Sequence, residues 1–266
     1  MITRANGIDM NYEMEGPESA PVLTLSHSLA TDSSMWDPQA AVLKSRYRVL
    51  RYDTRGHGGT SVPAGPYTLE QMAEDVKALL QSLGIFKTHF MGISMGGMIA
   101  QTLALKDPSV LQSLILCDTS SRIPKEALPI WEERIKAAQD HGMEGLVETT
   151  MERWFTASFR SKPLPVLAKI RGIIRSTPPK GYMGCSRAIM GLNLTERLAE
   201  IDLPTLIVVG EEDLGTPVSA SRAIHEKIKG SELVILKSAA HLSNIEQEQA
   251  FNVAVLDFLK RCEART

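Results

Sequence analysis

The stretch "HFMGISMGGMIAQTLAL", residues 89–105, sets one serine among glycines. Gly92-Ile93-Ser94-Met95-Gly96 follows the pattern G-x-S-x-G, with an apolar run before it and a helix-forming run after it. A serine on a sharp strand-to-helix turn has its hydroxyl pushed clear of the backbone, and small neighbours let a substrate carbonyl approach. The chemistry this suggests is nucleophilic attack on an acyl carbon. A serine hydroxyl is a weak nucleophile until a base takes its proton, and the base needs a third group to orient it. On a turn of this kind the acid and then the histidine follow the serine in chain order. His225 and His241 are the histidines of the closing part of the chain. His225 falls in a helical pattern and reads as a solvated helix position. His241 lies in "AAHLSN", just after the apolar run "ELVILKS" (232–238), and is the expected base. The acid should follow "PTLIVVG" (204–210), where Glu211, Glu212 and Asp213 compete. Asp213 is nearest the turn before Thr216-Pro217 and is the preferred acid, with Glu212 in reserve. Asp118, after "LILC", is another possible position for the acid but reads rather as a strand-end turn residue.

Elements to carry these residues are legible along the chain. "ITRANGIDMNYEMEG" alternates around Asn6-Gly7, a hairpin signal. "PVLTLS" (21–26), "YRVLRYD" (47–53), "THFMGI" (88–93) and "VLQSLILCDT" (110–119) read as strands. "SSMWDPQAAVLKS" reads as a helical stretch interrupted by Pro38. Over 68–83, Leu69, Met72, Ala73, Val76, Leu79, Leu80 and Leu83 recur at helical spacing, with Thr68 and Gln71 as a capping box and Gly84 as the stop. Residues 122–195 hold helical patterns and prolines but no convincing strand. Strands at 204–210 and 232–238 then alternate with helices at 217–229 and 245–261, the first of them capped by Thr216 and opened by Pro217. Alternating strands and helices imply a mostly parallel central sheet flanked by helices. The expected organisation is a core of residues 1–121 and 196–266 with an all-helical lid, 122–195, inserted.

The bulk numbers narrow the function classes. The chain has 266 residues, enough for one large α/β domain with its own core. Its formal net charge of −2 and scattered Lys and Arg give no reason to expect nucleic acid or an anionic membrane as partner. Cys117, Cys185 and Cys262 are far apart and include no CxxC pair, which suggests reduced thiols and a cytoplasmic setting. "MITRANGIDM" lacks a hydrophobic signal core, and no apolar run approaches the length of a membrane span.

The residues in this order resemble the α/β-hydrolase family, over the whole chain, and look closest to the 3-oxoadipate enol-lactonases of aromatic-acid catabolism. "SLATDSSMWDPQ", "RVLRYDTRGHGGTSVPAGPYTLEQMAEDV", "GISMGGMIAQ", "WEERI", "ERWFT", "TPPKGYMGCSRAI" and "AAHLSNIEQ" carry the resemblance. It implies an α/β-hydrolase fold with Ser94 as nucleophile, Asp213 as acid and His241 as base. It implies an oxyanion hole from the backbone N–H groups of Met95 and Leu29, the latter by the match of "SHSLA". The sequence departs from the family's Ser-Asn-Ser-Leu-Gly at Ser26-His27-Ser28-Leu29-Ala30, where His27 adds a titratable group and Ala30 replaces a glycine. The expected reaction is hydrolysis of a small-molecule lactone or ester through an acyl-enzyme, with no metal or organic cofactor. The enol-lactone carries a carboxylate, and Arg134 and Arg153, beside Trp131 and Trp154, are the expected substrate-binding residues. In "RYDTRGHGGT" Asp53 and His57 precede the serine, the wrong order for catalytic partners. This loop reads as a turn with Arg55 locked on a carboxylate, and His89 as a packed core histidine. Alternatives on the same scaffold are a general short-acyl esterase or perhydrolase and a carbon–carbon bond hydrolase. A slow-turnover ligand receptor is the alternative of another class.

Overall fold

The structure is a computed structural model that describes residues 1–264. The first hairpin pairs β1 (Ile2–Ala5) with β2 (Ile8–Glu15). Asn6 and Gly7 both take positive φ between them, as a tight hairpin turn requires. β3 (Val22–Ser26) leads to a 3-10 turn at Ser33–Trp36 and α1 (Asp37–Leu43). Pro38 therefore does not interrupt a helix. It sits in the first turn of α1, where its missing N–H has no partner to lose. β4 (Arg48–Tyr52) is followed by α2 (Leu69–Ser82), whose Thr68 hydroxyl accepts from the Gln71 N–H. β5 (Thr88–Ile93), α3 (Met95–Lys106) and β6 (Leu111–Cys117) complete the first half.

From there to residue 204 the chain makes helices: α4 (Leu128–His141), α5 (Val147–Trp154), α6 (Ala157–Arg160), α7 (Pro165–Ser176) and α8 (Pro179–Met190), with short 3-10 turns. A single β-bridge, Arg122 to Asn193, closes the two ends of this segment. β7 (Thr205–Gly210), α9 (Val218–Lys227), β8 (Glu232–Leu236), α10 (Ser243–Glu246) and α11 (Glu248–Glu263) follow. The helix expected from 245 is thus two helices, broken at Gln247. At the other expected cap, Pro217 rather than Thr216 occupies the residue before α9.

The eight strands form one sheet in the order β1-β2-β4-β3-β5-β6-β7-β8. β2 runs antiparallel to β1 and β4, and the remaining pairs are parallel. Every residue of β5 and β7 is buried, as expected for strands covered on both faces. α2 packs on α3, which covers β5 and β6, while α1 packs on α11, which reaches β7 and β8. All the functional candidates except the pocket arginines and tryptophans follow the carboxyl ends of these strands, where parallel sheets place their chemistry.

Candidate active site

Ser94 links β5 to α3 with φ 54° and ψ −116°, a region that L-residues rarely adopt. Its neighbours hold it there. The Ser94 N–H donates to the Cys117 carbonyl at 2.9 Å, and the Thr119 hydroxyl donates to the Ser94 carbonyl at 2.7 Å. The glycines are required by close approach. A Cβ on Gly92 would lie 2.2 Å from the Gly96 carbonyl oxygen, and one on Gly96 would lie 2.2 Å from that of Ser26.

His241 stands in the loop between β8 and α10, with Nε2 2.9 Å from Ser94 Oγ and Nδ1 2.8 Å from Asp213 Oδ2. Asp213 is fixed from the other side. Its Oδ1 accepts from the backbone N–H groups of Gly215 (2.8 Å) and Thr216 (3.0 Å), and its Oδ2 also accepts from the Thr216 hydroxyl (2.6 Å). Thr216 therefore serves the carboxylate rather than capping a helix. Burial opposes the charge on Asp213, but the adjacent His241 and the hydrogen bonds from His241 and Thr216 outweigh it. The carboxyl is held below its ordinary value. With Nδ1–H donated to an ionised Asp213, His241 Nε2 is left to accept from the Ser94 hydroxyl. Glu212 is exposed, and its N–H donates to the Ala239 carbonyl.

Asp118 does not reach His241. Its Oδ1 accepts from the Gly210 N–H at 2.8 Å and its Oδ2 from the Ser243 hydroxyl at 2.5 Å. It thus ties the end of β7 to the start of α10, the helix that follows the histidine loop. Burial, and then the charge of Asp213, push its carboxyl well above the ordinary value.

Met95 occupies the first position of α3, where the N–H has no intrahelical partner. Leu29 lies on the pocket wall in the loop after β3. Neither N–H is hydrogen-bonded to another of the described residues. The loop's shape depends on two histidines that the sequence left without a role here. His57 Nε2 accepts from the Ala30 N–H at 3.0 Å, and Ala30 takes φ 59° although it is not glycine. His27 is fully buried and points away from the pocket. Its Nδ1 donates to the Ser28 carbonyl at 2.7 Å, and its Nε2 accepts from the Thr54 N–H at 2.9 Å. The two rings lie 5.3 Å apart. Burial, and then His27, lower the His57 pKa from 6.5 to about 3, so this ring is a permanent acceptor at neutral pH. Arg55 is locked bidentately on Asp75, 2.5 Å and 2.6 Å, and both are buried. His89 is buried against Ser113, and His225, half-buried, bonds Ser231.

A cavity of about 590 Å³ opens onto Ser94 and His241. Trp131, Arg134, Arg153 and Trp154 all line it, from α4 and α5. The Arg134 guanidinium lies 5.2 Å from the centre of the Trp131 ring. Arg153 donates to the Thr149 carbonyl and the Thr150 hydroxyl, both at 3.1 Å. Neither arginine pairs with a carboxylate among the described residues. Burial disfavours the charge on both, and Arg134 disfavours it further on Arg153. The rest of the wall is mainly apolar, with Ile130 and Leu214 exposed. Among the described residues no three His, Cys, Asp or Glu side chains are grouped to hold a metal ion, and no helix is long and apolar enough to cross a membrane.

The sheet order, the strained serine turn and its histidine–aspartate neighbours define a class, and comparison with known proteins agrees. A family profile described as the alpha/beta hydrolase fold matches residues 21–248. The chain belongs to the α/β-hydrolase family. Its sequence is 37% identical over 260 residues to 3-oxoadipate enol-lactonase 1 of Acinetobacter baylyi, covering 98% of this chain and 96% of that one. The crystal structure of the enol-lactonase from Burkholderia xenovorans superposes with a TM-score of 0.94 at 38% identity, covering 98% of this chain and all of that one (100%). A malate-bound thermophilic esterase from Thermogutta terrifontis gives a TM-score of 0.92 at 30% identity, over 98% of this chain and 99% of that one.

Proposed function

We propose that this protein is a serine hydrolase that opens a small lactone bearing a carboxylate, with 3-oxoadipate enol-lactone as its substrate. The observation that carries the reading is the unneutralised Arg134–Arg153 pair in the same cavity as Ser94 and His241. The enol-lactonase relatives support the choice of lactone. Ser94 Oγ attacks the lactone carbonyl while His241 Nε2 takes its proton. Asp213 fixes the tautomer and stabilises the imidazolium. The N–H groups of Met95 and Leu29 receive the oxyanion, a contribution of about 3–4 kcal/mol for one donor. Collapse of the tetrahedral intermediate breaks the ring C–O bond. The leaving oxygen takes the His241 proton as an enol, which tautomerises to the ketone, and remains tethered in the same acyl chain. Water, deprotonated by His241, then cleaves the Ser94 ester and restores the hydroxyl.

Residues 122–195 act in this scheme as a lid over the core formed by 1–121 and 196–266. They supply both arginines and both tryptophans, and so place the substrate carboxylate. A charge-assisted hydrogen bond contributes roughly 1.5–3 kcal/mol, about 10- to 150-fold in affinity. The test compares the enol-lactone with its carboxylate methyl ester. A kcat/KM at least tenfold higher for the acid supports the reading, and equal values reject it. The apolar rim around Ile130 and Leu214 favours a second reading, a general short-acyl esterase, for which the methyl ester would be the equal or better substrate.

A further inference from the structure

The histidine loop is held by the helical segment above it as well as by the sheet below. Glu246, the last residue of α10, spans the two. Its Oε2 accepts from the Ala240 N–H at 2.5 Å, one residue before His241. Its Oε1 accepts from Thr156, from the N–H at 3.0 Å and the hydroxyl at 2.8 Å. One residue after His241, the Leu242 N–H donates to the Trp154 carbonyl at 3.1 Å. The Trp154 ring lies against the His241 ring, centroids 6.3 Å apart and planes at 29°. The N–H groups of the two residues that flank His241 are therefore tied to residues 154–156, one directly and one through a carboxylate. Those residues follow Arg153 in the chain.

We infer that Glu246 is a positioning residue for His241: its carboxylate clamps the histidine loop onto Thr156, so the Ser94–His241 proton-transfer geometry depends on how the lid is seated. The inference rests on the reading of His241 as the base but does not need the substrate to be an acid. Three donors converge on two oxygens of one side chain. An amide in its place could accept with only one oxygen, leaving either the Ala240 N–H or the Thr156 pair without an acceptor. A structural tie alone would lower stability and leave turnover intact. A positioning tie lowers the rate at which Ser94 is activated and leaves ground-state binding alone, because Glu246 does not line the cavity.

The experiment uses 4-nitrophenyl acetate, a neutral ester that needs no arginine, and a fluorophosphonate that reacts with an activated serine. Glu246→Gln should lower kcat by 10- to 100-fold with KM within twofold of wild type, and slow inactivation by the fluorophosphonate by the same factor. Thr156→Val, which removes one of the two lid donors, should lower kcat by a smaller factor, and adding it to Glu246→Gln should cost nothing more, since both cut one bridge. Glu248→Gln, exposed two residues further on, should match wild type. A folded Glu246→Gln protein with wild-type kcat and inactivation rate overturns the inference, as does full additivity of the two substitutions. If Glu246→Gln does not fold, Thr156→Val decides from the lid side: a lowered kcat at constant KM supports the clamp and an unchanged kcat rejects it. Failure of the hydrolase reading itself is distinguishable, because wild type would then neither turn over the ester nor react with the fluorophosphonate.

Discussion

Asp213→Asn changes one atom, and the surrounding bonds decide how the amide must sit. Asp213 Oδ1 accepts two backbone N–H groups, from Gly215 and Thr216. An amide nitrogen placed there would face both donors. The carbonyl oxygen of Asn must therefore keep the Oδ1 position, and the NH2 group must take that of Oδ2, 2.8 Å from His241 Nδ1. An NH2 group cannot accept a proton, so Nδ1 becomes the acceptor and the ring proton moves to Nε2. Nε2 then donates toward Ser94 Oγ, 2.9 Å away, instead of accepting from it. The general base is lost although every heavy atom stays near its place. The expected fall in kcat is about 10⁴-fold, which corresponds to about 5 kcal/mol in the activation barrier. Steady-state hydrolysis of 4-nitrophenyl acetate, with urea unfolding to show that the variant is folded, measures it. Glu212→Gln, on an exposed side chain, should stay within twofold of wild type. A folded Asp213→Asn enzyme retaining a tenth or more of wild-type kcat would refute the tautomer argument, and a larger loss at Glu212 would move the acid to that residue.

Other outcomes follow from the same geometry. Arg134→Ala should raise KM for the enol-lactone about 10- to 150-fold and leave KM for its methyl ester nearly unchanged; equal losses on both would transfer the test to Arg153. Gly96→Ala should destabilise the fold by at least about 1–3 kcal/mol in urea, because the new methyl meets the Ser26 carbonyl oxygen rather than a movable side chain; wild-type stability would contradict the close approach. His57 should make stability pH-dependent. Its native ring resists protonation down to about pH 3, whereas the unfolded ring takes up a proton below 6.5. Its contribution is complete above pH 6.5 and declines as pH falls toward 3, by about 2 kcal/mol at pH 5. The stability gap between wild type and His57→Gln should shrink by that amount between pH 7 and pH 5, and a constant gap would show that His57 is not held neutral.

The parts of the site that sequence exposes are those fixed by local geometry. Ser94 is legible because a strand, three nearby glycines and a helix meet within a few residues; a Cβ on Gly92 or Gly96 would strike backbone, and one on Gly97 the Thr119 side chain. Asp213 and His241 are legible because each follows an apolar strand, so chain order stands in for spatial order. Thr216 shows where local reading fails. Its position before Pro217 resembles a cap, in which the hydroxyl would accept from a backbone N–H, but the hydroxyl instead donates to the Asp213 carboxylate and α9 starts one residue later. Pro38 fails in the opposite sense, since a proline that ends one turn can open the next. His57 on Ala30 and Glu246 on Thr156 leave no periodic trace, because their partners lie 27 and 90 residues away and a single hydrogen bond sets no spacing. His27, which looked like a new group in the site, has both ring nitrogens engaged by backbone and faces the interior.

The role of Ser94 as nucleophile is tested most directly by the kcat of Ser94→Ala with 3-oxoadipate enol-lactone. The substitution removes the nucleophile but leaves the elbow glycines, the arginine pair and the His241–Asp213 bond in place. The variant should fold, bind the lactone and turn it over on the order of 10⁶-fold more slowly than wild type. A Ser94→Ala enzyme keeping more than about a thousandth of wild-type kcat would contradict this, because turnover would then not pass through an ester on Ser94.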